Sequence, residues 1–567
     1  MRKIALSALV VTSLFAAGCA TGSIDAESST PEVGANESAF GIALPPGHDI
    51  PVTGVANPAF KPFDDVVRRF MSERCIGGVV VGVSLGGNIV HNRGYGYKSG
   101  PPNASCATAT DPFVGGAKIE PTTPFRIGSN SKAVLAAIFR KEVKAALSAK
   151  RGAPVSDADL ESLKLLNSEI ELVSPEVRAK MLEGVEPGFL TSKPCAISAW
   201  AKVTLGHLLT HTAGFEASES AYPELSAIRG ITSTTVAADQ EYHSGAPPAA
   251  RTELKGVQGQ NAYFVPRANS EEIARAQGNR CFRAAPGTTS EYSNAGFTML
   301  NYVLEHVTGK TLSAENGYPG THTFSLLAKH MQQDIGFSSG IEISHTVLGA
   351  RDAAEPRYRW WSSGSAGYYP RRPDQKRPFC VLAGGRCDFQ PFINNQSRFD
   401  WAWQRENVDF SFALNQTAPG TGGLAAEAPR FLAFMDKYTV GKPYGVDQST
   451  LPAAFHQHFG GDNGTASWVV QFAGGQVDYQ AFALNPNGTQ NYDYANSTKK
   501  SCVIPKGVNF FFAMNQSSDA KCTVESGCAS LCKDEACDDK DKESIYDRYD
   551  QVLKSGLCKS DWTVPPQ

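Results

Sequence analysis

Phe125-Arg126-Ile127-Gly128-Ser129-Asn130-Ser131-Lys132 opens a stretch that stays apolar at helical spacing as far as Leu147. Inside it lies an S-x-x-K motif. Residues three apart share a helix face, so the Lys132 amine can approach the Ser129 hydroxyl. A serine at a helix N-terminus also stands where the helix dipole favours developing negative charge. The motif alone is common: Ser497/Lys500 and Ser518/Lys521 match it too, and a solvated surface position is expected for both. The Phe125–Gly128 approach and the long apolar helix set Ser129 apart.

Upstream, Phe63, Val66, Val67 and Phe70 recur at helical spacing among charged residues, which predicts an amphipathic helix. Gly78 to Leu85 and Asn88 to His91 are β-rich runs around Gly86-Gly87, a hairpin pattern. Leu205 to Leu209 is again helical. Near the far end, Trp468-Val469-Val470 and Val508 to Met514 predict strands, and Ile545, Tyr549 and Val552 a closing helix. This order predicts one α+β domain closed by its two termini, with an antiparallel sheet, terminal helices and a helical region between. Val408-Asp409-Phe410, Val477-Asp478-Tyr479 and Val508-Asn509-Phe510 share a texture but no fixed period, and we treat them as unrelated.

Two further motifs follow in order. Tyr292-Ser293-Asn294 is a Y-x-N pattern; in an extended segment its phenol and amide would face one cleft. A phenol beside a lysine ammonium could be held as phenolate and take the serine proton. Tyr494-Ala495-Asn496 has the same form, but its polar surroundings suggest a loop. His458-Phe459-Gly460-Gly461 precedes the Trp468 strand, and a glycine pair there lets backbone N–H groups approach a substrate carbonyl. A plain Gly-Gly turn in a solvated loop is the competing reading.

Composition is ordinary for a globular chain, at 41% hydrophobic and 19% charged, and a net charge of −3 gives no support for nucleic-acid binding. The 567 residues would allow two to four domains by length alone. Arg2-Lys3, an apolar run from Ile4 to Ala17 and small residues at the end predict a leader over 1–18. Ala16-Ala17-Gly18-Cys19 resembles a bacterial lipobox, so lipid on Cys19 is expected, with a flexible tether through residue 57. A plain leader with an incidental Cys19 is the alternative. Of thirteen cysteines, setting Cys19 aside leaves an even number, and an exported chain favours disulfides over zinc. Cys380 and Cys387 flank a Gly-Gly turn and could bridge it. The cysteine-rich stretch, about 517–541, is expected to be an insertion before the last helix, and 559–567 a tail.

The Phe125–Lys132 stretch resembles the nucleophile motif of class C β-lactamases and related esterases and D-amino-acid peptidases. Leu205-Gly206-His207-Leu208-Leu209-Thr210-His211-Thr212-Ala213-Gly214-Phe215 resembles a second hallmark, and Pro286 to Phe297 a third. Gly422-Gly423-Leu424 before a helix fits as well. The resemblance spans 58–558 and implies the β-lactamase/transpeptidase-like fold with insertions. It implies Ser129 as nucleophile, Lys132 and Tyr292 as proton handlers, and Ser129 and Gly461 N–H groups as the oxyanion hole. Asn294 would bind a substrate amide or orient Lys132, His207 and His211 would pack beside the site without binding zinc, and Gly460 and His458 would complete the third motif. No metal and no cofactor are implied.

Two departures stand out. His458-Phe459-Gly460 replaces the usual Lys-Thr-Gly, so His458 would supply a donor in place of an ammonium, and neutral esters are expected to outrun carboxylate-bearing penicillins and D-alanyl peptides. An arginine near Arg357 or Arg371 could restore the anion site. Long stretches between Ala133 and Lys202, Phe215 and Arg280, and Arg351 and Gly420 exceed a compact member. The expected function is hydrolysis of an ester or amide in the bacterial cell envelope, with membrane contact through the lipid alone. A β-lactamase or D-alanyl peptidase acting on peptidoglycan-type substrate is the nearest alternative. A catalytically silent binding lipoprotein is the alternative of another class.

Overall fold

Gly86 and Gly87 both take positive φ, 57° and 83°, and this tight turn joins β2 (Gly78–Leu85) to β3 (Asn88–Gly96) as an antiparallel hairpin. A computed structural model describes residues 49–98, 100–106, 115–170, 201–214, 284–309, 326–337, 340–343, 346–347, 350–351, 382–383, 386–387, 419–452, 454–462, 465–486, 490–491, 494–515 and 539–563. All fall within the unit 44–567. The leader, Cys19, the expected tether as far as residue 48, Cys380, the Val408 segment and Cys522 to Cys537 lie outside the described residues. The end of the expected tether is instead part of the fold, with Val52 and Thr53 paired to Tyr95 and Gly94 of β3.

In chain order, β1 (Val52–Thr53) and α1 (Lys61–Arg74) precede the hairpin. Then come β4 (Phe125–Arg126), α2 (Ser131–Arg151), α3 (Asp157–Ser162), α4 (Leu205–Leu209) and α5 (Asn294–Thr308). β5 (Ile341–Ile343), β6 (Leu424–Ala426) and α6 (Ala428–Lys437) follow. Last are β7 (His456–Asp462), β8 (Thr465–Gln471), β9 (Gly475–Phe482), β10 (Ser497–Ile504), β11 (Val508–Met514) and α7 (Asp539–Cys558).

The main sheet has six strands in the order β1-β3-β2-β11-β8-β7, every neighbour antiparallel. Pairing Val508 with Leu85 and Met514 with Val79 zips the end of the chain beside its beginning. The predicted closure by both termini holds.

Side chains alternate across a strand, and here they sort into two cores. Val79, Val81, Val83, Trp468, Phe510 and Phe512 pack with Phe63, Phe70, Tyr549 and Leu553 of the terminal helices. Val80, Val469, Phe511 and Ala513 pack with α2, α5 and α6 on the other face. Gly82 makes the second contact possible: a Cβ there would stand 2.8 Å from Leu432 and 3.2 Å from Ala428 of α6. The sheet is thus covered on both sides, the fold expected from the sequence.

Disulfides tie the terminal layer. Cys75, in left-handed conformation at the end of α1, bonds Cys106, and Cys502 of β10 bonds Cys558 of α7. The β9–β10 ribbon was not anticipated. Val477-Asp478-Tyr479 lies in that ribbon and Val508-Asn509-Phe510 in the main sheet, so their shared texture is coincidental.

Candidate active site

The nucleophile turn is a single 3-10 turn, Gly128–Asn130, hung between two fixed ends. Before it, β4 pairs with β6, and the Ile127 amide donates to the Leu424 carbonyl at 2.9 Å. After it, Ser131 Oγ donates to the Gly128 carbonyl at 2.6 Å and accepts from the Leu424 amide at 3.1 Å. The turn cannot swing without breaking these bonds.

Edge strand β7 presses on this turn, and two glycines allow it. A Cβ on Gly460 would lie 1.9 Å from the Ile127 carbonyl oxygen and 2.8 Å from Asn130 Nδ2. Gly128 has φ 48°, and a Cβ there would lie 2.7–2.8 Å from the backbone of Gly461. The Gly-Gly pair therefore lies in a strand, and its backbone runs one residue from Ser129. Solvated-turn chemistry is not its role.

Ser129 Oγ lies 3.0 Å from Lys132 Nζ and 2.5 Å from the Tyr292 hydroxyl, which donates to it. The structure brings these three sequence-predicted residues together. Lys132 is wholly buried, with the rings of Tyr292 and Phe297 4.9 and 5.8 Å from its nitrogen. Burial pushes the lysine well below its ordinary range, because an ammonium loses its hydration there. Burial also raises the Tyr292 phenol, against a smaller opposing effect of the Ser129 hydrogen bond. Tyr292 still shows 39% of its surface, so solvent tempers that desolvation. Both shifts favour the uncharged forms, an amine and a protonated phenol, over the ammonium–phenolate pair expected from the sequence.

Tyr292 is carried by chain that belongs to no helix or strand, and three hydrogen bonds strap that chain to the α4 segment. The Gly287 amide donates to the Thr212 carbonyl, the Glu291 amide to the His211 carbonyl and the Ser293 amide to His211 Nδ1, at 2.8, 2.9 and 3.1 Å. His211 itself sits in left-handed backbone, φ 58°, with its ring 4.6 Å from that of Tyr292. Because Nδ1 accepts, the ring is neutral with its proton on Nε2, and burial with the nearby lysine charges holds it so. His207 is part of a capping box with Thr204 at the start of α4. Both histidines pack and position, as expected.

Asn294 is the first residue of α5, so the Y-x-N motif bends from extended chain into helix at its last residue. The Asn294 side chain lies outside the described residues. Tyr494 sits in a 3-10 turn with its ring 5.3 Å from Phe482 of β9, and Ser497 and Lys500 lie on β10, away from Ser129. Ser518 and Lys521 lie outside the described residues.

His458 corrects an expectation. Ser467 Oγ donates to the Ile127 carbonyl at 2.8 Å, Asn130 Nδ2 donates to Ser467 Oγ at 2.8 Å, and Asn130 Oδ1 faces His458 Nδ1 at 3.1 Å. A carbonyl can only accept, so this chain runs one way and His458 donates through Nδ1. Its Nε2 is left as an acceptor. Burial, then the charges of Lys132 and Lys442, push the imidazole down to about 3. His458 therefore offers substrate a lone pair, not the donor expected of it. Phe459 points to the opposite face and packs against the terminal-helix core, so it takes no part in the cleft.

Sequence reasoning missed Asn130 and Ser467, which set the His458 tautomer, and Lys442 and Tyr444, which come from the segment between α6 and β7. Tyr444 has its ring 5.2 Å from His458 and 5.6 Å from His211. Nothing in the local sequence marked that segment; only its contacts do.

A family model described as Beta-lactamase matches residues 63–477. No curated protein matches the chain. FmtA from Staphylococcus aureus superposes with a TM-score of 0.40 at 12% identity, over 91% of this chain and 93% of its own. A β-lactamase/D-alanine carboxypeptidase from Yersinia pestis, complexed with citrate, gives 0.38 at 11%, over 88% and 98%. EstCE1, a hydrolase with promiscuous acyltransferase activity, gives 0.37 at 15%, over 88% and 98%.

Proposed function

The chain belongs to the Beta-lactamase family, and from that premise we propose that it is an exported, lipid-anchored serine hydrolase that cleaves an ester or amide through an acyl-enzyme on Ser129. One observation carries the reading: Ser129 Oγ has a buried amine on one side and a phenol on the other, both within hydrogen-bond reach.

Neutral Lys132 accepts the Ser129 proton as Oγ attacks the carbonyl carbon. The oxyanion meets the Ser129 and Gly461 amides, in a corner that Gly128 and Gly460 keep narrow. As the tetrahedral intermediate collapses, Tyr292 gives its proton to the leaving oxygen or nitrogen, and the Lys132 ammonium restores it. Water then takes the place of the leaving group, delivers a proton through the same pair and frees the acid and Ser129. The amine begins and ends neutral, so each cycle closes.

The test is intact-mass analysis after exposure to a fluorophosphonate. One adduct on Ser129 is expected, none in Ser129→Ala, and a loss of turnover of roughly 10³–10⁶-fold in a variant that still folds. Unchanged hydrolysis by folded Ser129→Ala would overturn the assignment.

A further inference from the structure

With His458 neutral and its free nitrogen an acceptor, β7 offers no cation to an acidic substrate. A cation stands elsewhere over the cleft. Lys442 lies in the segment between α6 and β7, fixed at both sides. Gly441 rests against β7, where a Cβ would be 3.2 Å from the Gln457 carbonyl oxygen and from His456 Cβ. On the other side, Tyr444 meets the His458 ring. Between these anchors the exposed Lys442 reaches over to Ser290, with Nζ 2.6 Å from Oγ. Ser290 stands two residues before Tyr292, about 7 Å in extended chain. The Lys442 charge is felt at both His458 and His211, so it acts on the middle of the site.

We propose that Lys442 and Ser290 form the anion subsite of this cleft and hold a carboxylate on the acyl part of the substrate. The inference rests on Ser129 being the acylated residue. An ammonium has three donors; one is engaged with Ser290 Oγ, and the others are directed by that bond. The Ser290 hydroxyl accepts from Nζ and donates its own proton to the carboxylate, so the anion meets two donors, one of them charged. The preferred substrates are esters or amides of a dicarboxylic or otherwise acid-bearing acyl group. Their charge is taken up on the Ser290 side of Tyr292, away from β7. This differs from the expectation, drawn from His458-Phe459-Gly460, that neutral esters outrun carboxylate-bearing penicillins and D-alanyl peptides.

The experiment uses two phosphonate esters with the same leaving group, one with a methyl-ended chain and one with a carboxylate-ended chain. Second-order labelling of Ser129 in the full chain is followed by intact mass. The carboxylate reagent is expected to react faster with the unaltered protein. In Lys442→Ala, the ratio of acidic to neutral rate constants is expected to fall roughly ten- to a hundredfold, the span of one charge-assisted hydrogen bond. Lys442→Arg should retain most of the ratio, and 0.5 M salt, about the level at which such charges are heavily screened, should narrow it in the parent far more than in Lys442→Ala. A label on Ser129 with the ratio unchanged in Lys442→Ala would overturn this subsite alone. A label elsewhere than Ser129 would overturn the acyl-enzyme reading itself.

Discussion

Serine oxygen attacks well when its proton has somewhere to go, and at Ser129 the choice falls between Lys132 and Tyr292. Lys132 is 0% exposed, and an ammonium sealed among aromatic rings forfeits its hydration, so burial holds the amine's pKa well below the ordinary lysine range. Below that lowered value Lys132 is protonated and cannot take the serine proton; activity therefore rises with pH through it. Tyr292 is raised, so its proton is lost only above the ordinary phenol range. A kcat/KM profile on a neutral ester should climb on the acid side and stay level well past pH 8 or so. His458, down at about 3, should add no limb between pH 5 and 8, the range in which an ordinary histidine titrates. A stability effect follows from the same shift. The unfolded chain binds a proton at Lys132 up to the ordinary value of 10.5, the folded chain does not, and stability from this residue rises with pH across that window. Lys132→Met should thus be inactive yet melt no lower than the parent at pH 7. A much lower melting temperature would show that the folded lysine is charged and paired.

At the scale of elements, β7 decides the shape of the oxyanion corner, and Gly460 is its pivot. A methyl at that position would have to occupy space held by the Ile127 carbonyl, 1.9 Å away in backbone that β6 fixes. Gly460→Ala should cost about 1–3 kcal/mol of stability as an overpacking change. Displacing the corner by about 1 Å should lower kcat/KM by roughly 10²-fold. Thermal melts and ester kinetics on one preparation check both, and parent-like kinetics would mean that β7 does not border the reacting carbonyl. Much of this scale was legible beforehand. The β-rich run Gly78 to Leu85, the Gly86-Gly87 turn and the apolar Trp468 and Val508 runs are local patterns, and each became the element expected. The S-x-x-K and Y-x-N residues were legible because their chemistry needs fixed spacing. Lys442 was not, because its place depends on how the segment after α6 folds back on β7. Nor was the direction of the His458 hydrogen bond, which depends on Asn130 and Ser467 from two other elements. Nor was the face taken by Phe459, because only the sheet register shows which way a strand residue points.

For the whole molecule, the main sheet separates two jobs. One face carries the terminal helices, where Cys75–Cys106 and Cys502–Cys558 are bonded, and the other carries α2, at whose start Ser129 and Lys132 stand. Residues 215–283 leave and re-enter the described chain beside the three hydrogen bonds that strap Gly287, Glu291 and Ser293 to Thr212 and His211. Those bonds join the chain before the stretch to the chain after it, so Tyr292 is aimed by the strap at the roots. The strap is built wholly from the described chain on either side, so it should keep that aim whatever lies between its roots. Replacing 218–280 by a short Gly/Ser linker should leave fluorophosphonate labelling of Ser129 within about tenfold, since loop-closure cost grows only slowly with length. Loss of labelling in a folded variant would show that residues 218–280 are needed for the site to work. If labelling persists, two lengths of chain bonded at their roots are enough to aim a phenol at its serine, and the acyl-transfer apparatus asks nothing of what runs between them.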